Sequence, residues 1–235
     1  VKTGEVLVSA SYPTFDITTY SEKFNELKKA DYDPLFDRAL LGEYPPGSIF
    51  KMVTTIAAID SGAITRETTV YDKGIYERFA DVGYTPRCML YTTSGATHGT
   101  INVMQAISVS CNYFFYEAGW LTGIDRIDAT AKALGLGEHT GVELVEYIGH
   151  RANPETKKAL YSGDYSAWYG GDTISAAIGQ SEHLYTPMQL CSYTCALANK
   201  GVRYKATFLK RVISANYQQL LKENEPTVLS KLDIS

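Results

Sequence analysis

Apolar residues recur along this chain at two different spacings, which predict a mixture of helices and strands. Positions 50, 53, 56 and 57 are apolar at helical spacing, and Gly62 marks the end of this segment. We expect this helix to be buried. A second helical period runs through positions 124, 127, 131 and 134 and ends at Gly135.

Two further segments carry a helix start signal and a strand period. Residues 186–189 read TPMQ, which has the form of a capping box with Pro at the first helical position. This signal predicts a helix that runs to about Asn199. Beyond it, apolar positions 202, 204, 206 and 208 alternate with polar positions 203, 205 and 207, which is typical of a half-exposed strand. Helices prevail over strands in the chain as a whole.

Composition is that of an ordinary globular protein. The 235 residues are 45% hydrophobic and 20% charged, enough to bury a substantial core in one or two lobes. The net charge of −4 shows no excess of basic residues of the kind that nucleic-acid-binding proteins carry, so we expect no nucleic-acid partner. No apolar run approaches the length of a membrane span, and no signal peptide is visible.

The cysteines and histidines predict neither a disulfide framework nor a metal site. Cys191 and Cys195 lie one helical turn apart, where backbone geometry discourages a bridge, and Cys111 lies inside a polar motif described below. We interpret all four cysteines as free thiols. The four histidines are scattered, and no Cys or His pair has the spacing of a zinc finger.

The segment at residues 44–51 reads YPPGSIFK and places Ser48 three positions before Lys51. If a helix begins at or just before Ser48, the two side chains share one face, and the amine can lie within hydrogen-bond reach of the hydroxyl. Pro-Pro-Gly cannot continue the helix backwards, so the hydroxyl lies at the helix N-terminus, where the dipole favours negative charge. This arrangement suits an acyl-transfer nucleophile with Lys51 as its base. A purely structural alternative is that Ser48 caps the helix.

Ser110 and Asn112 lie two positions apart in the otherwise apolar segment VSCNYFFY, residues 109–116. A Ser-x-Asn loop can supply a hydroxyl for proton relay to a leaving amine, and an amide that holds the substrate carbonyl or the lysine. The alternative is a helix junction in which Asn112 caps the next helix. The two roles are compatible.

With both motifs in place, the chain resembles the transpeptidase domain of penicillin-binding proteins, and its pattern is most like the monofunctional, high-molecular-weight class B type. The resemblance covers nearly the whole chain. Besides YPPGSIFK and SCN, it includes VKTGEVLVSASYPTFD, HGTINVMQAISVSCNYFFYEAG, LGLGEHTGVEL and GGDTISAAIGQSEHLYTPMQL, in family order. Gly179 and Gln180, in the last of these, resemble a family segment near the site, although a turn before a helix would explain them equally well.

The resemblance implies a β-lactamase/transpeptidase-like α+β fold, with an antiparallel sheet flanked by helices and a mainly helical lobe, in one partial domain over residues 1–235. It implies a serine acyl-enzyme with Ser48 as nucleophile, Lys51 as base, and Ser110 and Asn112 as further catalytic residues. The expected substrates are peptidoglycan stem peptides ending in D-Ala-D-Ala, with β-lactams as covalent inhibitors. No cofactor is expected. The expected partners are cell-wall synthesis proteins at the extracytoplasmic face of the bacterial cytoplasmic membrane, reached through an anchor upstream of Val1.

The family's third motif, Lys-Thr/Ser-Gly on a strand, should follow the other two, and no convincing match does. Lys2-Thr3-Gly4 precedes them, and we interpret it as the turn of a hairpin that enters a strand over residues 5–12. His139-Thr140-Gly141 lies too soon after Asn112, and we reject it as well. We therefore expect a fragment that ends before the motif, with an incomplete sheet and an open edge.

Two rival functions remain open at this stage. A β-lactamase or a β-lactam sensor shares the Ser-x-x-Lys chemistry, whereas a non-catalytic scaffold would have kept only the fold.

The aromatic loop at residues 160–171 could line a substrate cleft, but we expect Trp168 and its neighbours to be local packing.

Overall fold

The structure, a computed structural model, describes residues 1–233, and these residues form two compact units. The first unit comprises Val1–Tyr44, Leu134–Gly149 and the described residues from Tyr185 onward; the second comprises Pro45–Ala133 and His150–Leu184. The helices are α1 (Tyr20–Leu27), α2 (Lys51–Asp60), α3 (Met89–Ser94), α4 (Val103–Ser108), α5 (Asn112–Thr122), α6 (Ile124–Ala133), α7 (Pro154–Leu160), α8 (Gly170–Ala176) and α9 (Pro187–Ala198). The strands are β1 (Thr69–Asp72), β2 (Gly99–Asn102), β3 (Val202–Tyr204), β4 (Arg211–Ile213), β5 (Leu220–Glu223) and β6 (Val228–Lys231). Short 3₁₀ helices occupy Ile17–Thr19, Gly47–Phe50, Ala80–Val82 and Gly163–Ser166.

The second unit is mainly helical. Helix α2 packs against α5 and α6, and α5 packs against α8. Gly119 on α5 permits close approach here, since a Cβ at this position would lie 2.2 Å from Ala177 Cβ. Strands β1 and β2 pair antiparallel, with Thr69 opposite Asn102 and Asp72 opposite Gly99. An apolar core lies between these elements and includes Ala58, Ile101, Phe114, Phe115 and Ile174.

The first unit packs helix α9 against β3, which pairs with β6, while β4 pairs with β5. Thr186 and Gln189 form a reciprocal capping box at the start of α9. The Gln189 side-chain amide also donates to the carbonyl oxygens of Glu138 and Ile148, at 2.9 and 2.8 Å. A small core of Leu40, Val142, Met188 and Ala206 holds this unit together. The α+β class is confirmed, and the three described sheets are antiparallel pairs.

The periodic segments were predicted well. Helices α2, α6 and α9 begin or end within one or two residues of their predicted limits, and β3 lies in the predicted strand. All four cysteines are free thiols. None of the helices in the described part of the chain combines the length and apolarity that a membrane crossing requires.

Two strand predictions need correction. Residues 5–12 form no strand, because only Glu5 makes a bridge, to Thr207, and the side chains of Leu7 and Val8 are more than 80% exposed. In β3 the polar position is the buried one. Arg203 is only 8% exposed, because its guanidinium donates to His139 O and Ser230 Oγ.

Candidate active site

Ser48 lies in the 3₁₀ helix Gly47–Phe50, immediately before α2. Its neighbour Gly47 has a positive φ of 58° and donates its N–H to Gly179 O at 2.9 Å. The two glycines are so close that a Cβ on Gly179 would lie 2.1 Å from Gly47 O. This contact fixes the backbone in front of the nucleophile candidate, while Ser48 itself remains exposed. Ser48 provides no side-chain cap to either helix.

The Lys51 ammonium group is surrounded by three oxygen acceptors. Its Nζ donates to Asn112 Oδ1 at 2.7 Å, to Ser110 O at 2.8 Å and to Ser110 Oγ at 3.0 Å. It also lies 5.5 Å from the centre of the Phe115 ring. The structure thus brings three of the four predicted site residues into direct contact.

The expected hydrogen bond between Ser48 and Lys51 is not made. Among the hydrogen bonds of residues 1–233, none joins the two side chains, because Ser110 and Asn112 take up the donors of Lys51. Ser48, Ser110 and Asn112 nevertheless line one cavity of about 380 Å³, together with Gln180. The nucleophile candidate and the relay candidate therefore face the same space.

Burial changes the chemistry of Lys51. Its side chain is only 3% exposed, and loss of hydration lowers its pKa from 10.5 to about 8. A lysine with this pKa is partly neutral near physiological pH, which is the state that a general base requires.

The Ser-x-Asn segment joins α4 to α5. Ser110 adopts a left-handed backbone, with φ of 53°, and Cys111 is the N-cap of α5, where its Sγ accepts from Phe114 N. The alternative in which Asn112 caps the helix is therefore wrong, because Asn112 is already the first helical residue. Its side chain is free to point towards Lys51.

Beside this segment, Asp72, Cys88, His98 and Cys111 place four possible metal-ligand atoms within 4.8 Å of one another. His98 Nδ1 lies 2.8 Å from Asp72 Oδ2, and the thiol of Cys111 lies 3.6 Å from the same oxygen. Two thiols, an imidazole and a carboxylate are ligands that zinc takes in tetrahedral sites, so these residues could hold such an ion. The sequence argument against a metal site rested on the spacing of Cys and His residues. It fails here because the fold brings together residues that are far apart in sequence.

The ionisation of this group reflects mutual contacts. A hydrogen bond with the Cys111 thiol lowers the pKa of Cys88, and the same contact together with burial raises the pKa of Cys111. Burial opposes ionisation of Asp72, but the backbone N–H groups of His98 and Gly74 outweigh it and hold its pKa below the usual value.

The two segments that resemble a third motif have structural partners of their own. The Thr140 hydroxyl and the N–H groups of Thr140 and Gly141 all donate to the Glu146 carboxylate. An internal carboxylate thus occupies the donors that a substrate carboxylate would need. In the other segment, Gly4 O accepts from Thr207 N at 3.0 Å.

A family model, described as the penicillin binding protein transpeptidase domain, matches residues 1–235. The chain belongs to this family. This chain is similar to peptidoglycan D,D-transpeptidase MrdA of Escherichia coli (strain K12), with 32% identity over 86% of this chain and 31% of the relative. It is 33% identical to MrdA of Acinetobacter baumannii (strain ATCC 19606), over 85% of this chain and 30% of the relative. The chain therefore spans about a third of the length of these curated relatives.

A solved structure gives the same fold. This chain is similar to the penicillin-binding protein PBP2 of Helicobacter pylori, solved in complex with MreC, with 30% identity and a TM-score of 0.79 over 93% of this chain and 39% of that chain. The class B family and the fold class inferred from the sequence are confirmed by these comparisons. The assignment of residues 1–235 to a single partial domain stays a prediction.

Proposed function

We propose that this chain carries the nucleophile and base of a peptidoglycan D,D-transpeptidase that acts through a serine acyl-enzyme. The observation that supports this most strongly is the contact of Lys51 with Ser110 and Asn112 next to the cavity that Ser48 lines. A buried lysine with a lowered pKa, two polar partners and an exposed serine are the parts that acyl transfer needs.

The acceptors around Lys51 favour a relay through Ser110. Ser110 O and Asn112 Oδ1 can only accept hydrogen bonds, so they hold two N–H groups of the amine. The Ser110 hydroxyl can either accept or donate, so a neutral Lys51 can accept its proton across the same 3.0 Å contact. Lys51 and Ser110 can therefore exchange a proton without any change of position.

In the proposed reaction, Ser48 Oγ attacks the carbonyl carbon of the penultimate D-Ala of a stem peptide, and Lys51 receives the hydroxyl proton. The C–N bond then breaks, and the leaving nitrogen of the terminal D-Ala takes a proton through Ser110. The amine of a second stem peptide resolves the acyl-enzyme and forms the cross-link. A β-lactam would follow the first step and leave a stable acyl group on Ser48. The backbone N–H of Ser48 would contribute one oxyanion donor.

Partners and location are proposed from the relatives. The complex of the Helicobacter pylori protein with MreC supports a cell-wall synthesis protein as partner. We place the activity at the extracytoplasmic face of the cytoplasmic membrane, where peptidoglycan stem peptides are cross-linked.

Turnover of a chromogenic cephalosporin separates this function from its rivals. A transpeptidase should give one equivalent of opened β-lactam and then stop, and it should release D-Ala from a stem pentapeptide. Continued hydrolysis would indicate a β-lactamase, and a stoichiometric burst without D-Ala release would indicate a sensor. No difference between the parent and a Lys51→Met variant would favour a scaffold and contradict the proposal.

A further inference from the structure

A second cavity, of about 660 Å³, borders the one that Ser48 lines. The two cavities share Gln180, an exposed residue that lines both of them. We call the second cavity the aromatic cleft, because Phe79, Tyr84 and Tyr169 line it. Since Gln180 belongs to both spaces, a peptide bound at Ser48 can extend past Gln180 into the aromatic cleft.

Local contacts hold the aromatic wall of this cleft in place. The Tyr84 hydroxyl lies 2.8 Å from Ser175 Oγ, and the centre of its ring lies 6.5 Å from that of Phe79. A Cβ on Gly171 would lie 3.0 Å from the Tyr84 ring, so the backbone of α8 packs directly against this ring. The cleft therefore has a preformed apolar wall, which is typical of ligand sites.

The charge of the aromatic cleft favours a cation. Two acidic residues line it, Asp172 and Glu182, and none of its described lining residues is basic. Asp172 is neutralised by Lys157, whose Nζ lies 2.6 Å from Asp172 Oδ2. Glu182 accepts a hydrogen bond from Ser181 Oγ and forms no salt bridge within residues 1–233. Its negative charge is therefore available to a ligand.

An aromatic wall and a carboxylate together suit an ammonium group. Tyr169 already binds a cation in this way, because Lys157 Nζ lies 5.7 Å from the centre of its ring. Tyr169 is nevertheless 60% exposed, so much of the side chain stays accessible from the cleft. The combination of Tyr169 and Glu182 thus points to a ligand with a positively charged amine.

We propose that the aromatic cleft binds the side-chain ammonium group of the donor stem peptide, an assignment that rests on the proposed function. In that reaction the amine of one stem peptide forms the cross-link, so the donor, which is the same kind of molecule, carries an amine as well. The terminal D-Ala leaves in the first step, and what stays on Ser48 is the part of the donor that precedes the attacked carbonyl. This part extends past Gln180, and its ammonium group lies against Tyr169 and Glu182. The cleft selects donors with a cationic side chain and holds their amine away from the acyl group.

Binding is tested in the whole chain carrying Ser48→Ala, which cannot turn the peptide over. The probes are Nα-acetyl-L-Lys-D-Ala-D-Ala and its Nα,Nε-diacetyl analogue, which differ only at the side-chain amine. The first probe should shift the backbone amide NMR signals of Tyr169 and Glu182 and should bind about tenfold more tightly than the second. Glu182→Gln should remove most of this preference. Glu67→Gln, in an exposed turn of the same unit, is the matched control and should keep it.

The aromatic contribution has a matched pair of its own. Tyr169→Leu should weaken binding of the free-amine probe and leave binding of the diacetyl probe unchanged. Tyr165→Leu alters a residue of the same loop that is 81% exposed and does not line the cleft, so both affinities should stay as in the parent. Equal affinities of the parent for the two probes, or a preference that Glu182→Gln leaves intact, would overturn the proposal.

D-Ala release assigns the cleft to the donor. With Ser48 restored and no acceptor added, D-Ala should be released faster from the free-amine probe than from the diacetyl probe. A preference that appears only in the formation of cross-linked product would assign the cleft to the acceptor and overturn the donor assignment. Benzylpenicillin, which lacks this ammonium group, tests the proposed function separately. A parent chain that shows the probe preference but forms no penicillin adduct refutes the proposed function alone, whereas an adduct with equal probe affinities refutes the ammonium site alone.

Discussion

Lys51 Nζ lies 2.7 Å from Asn112 Oδ1, across the contact between helices α2 and α5. The amide oxygen is neutral, so it holds the ammonium group without the strong stabilisation that a carboxylate would give. This allows burial to keep the lysine pKa low. The protonation state of Lys51 therefore depends on the chemical nature of residue 112.

An Asn112→Asp substitution should move the pH profile of β-lactam acylation to higher pH. A carboxylate beside the amine raises the pKa of Lys51. At a pH below this pKa, each unit of increase in the pKa lowers the neutral fraction of the lysine about tenfold. Acylation rates measured from pH 6 to about 10 would give the shift. Asn216→Asp makes the same charge change in an exposed turn of the first unit and serves as the control. An unchanged profile for Asn112→Asp would exclude contact between the two groups in solution.

The acylation rate of the unmodified chain should itself increase with pH. Lys51 is protonated below its pKa of about 8 and neutral above it, so the rate should rise with pH and reach half its plateau near pH 8. At pH 7 the rate should be about a tenth of the plateau. Stopped-flow measurement with a chromogenic cephalosporin checks this. A rate that is flat from pH 6 to about 9 would rule out Lys51 as the titrating base.

Ser110→Ala should slow acylation while leaving the fold intact. The substitution removes the hydroxyl relay, but Lys51 keeps its bonds to Ser110 O and Asn112 Oδ1. Loss of a positioned proton-transfer group typically costs about 10²–10⁴ in rate. Ser108→Ala removes an exposed hydroxyl from the end of α4 and is the matched control. Equal acylation rates for the two variants would contradict a relay role.

Gly179→Ala should disturb Ser48 through Gly47. Both Gly179 and Gly163 have positive φ, at 76° and 62°, so alanine costs about 1–2 kcal/mol of backbone strain at either position. A Cβ at Gly163 meets nothing within 4 Å, whereas at Gly179 it lies 2.1 Å from Gly47 O. Gly179→Ala should therefore lower the Tm more than Gly163→Ala and should also slow acylation. If the two variants have the same Tm and the same acylation rate, the Gly47 contact does not position Ser48.

The parts of this site that lie close together in sequence could be predicted, since Ser48–Lys51 and Ser110–Asn112 are each defined by local spacing. The partner of Lys51 could not be assigned by spacing, because the contact depends on how α2 packs against α5. The group around Asp72 was missed for the same reason, since its members come from the end of β1, the residue before β2 and two helix starts.

In the fold, the capping box at Thr186 was readable because it is local, whereas the burial of Arg203 depends on acceptors 64 and 27 positions away. The alternation of apolar and polar residues in β3 predicted a strand correctly but assigned the wrong buried face. A charged side chain with two partners can occupy an interior position that the apolar pattern assigns to solvent.

The nucleophilic role of Ser48 is tested most directly by the intact mass of the chain after incubation with benzylpenicillin, followed by peptide mapping. The account predicts one adduct per chain on the peptide that contains Ser48, and no adduct on a folded Ser48→Ala variant. An adduct that persists in Ser48→Ala, or that maps to Ser110, would contradict it. A folded parent chain that gains no mass would contradict the claim that this chain forms a serine acyl-enzyme.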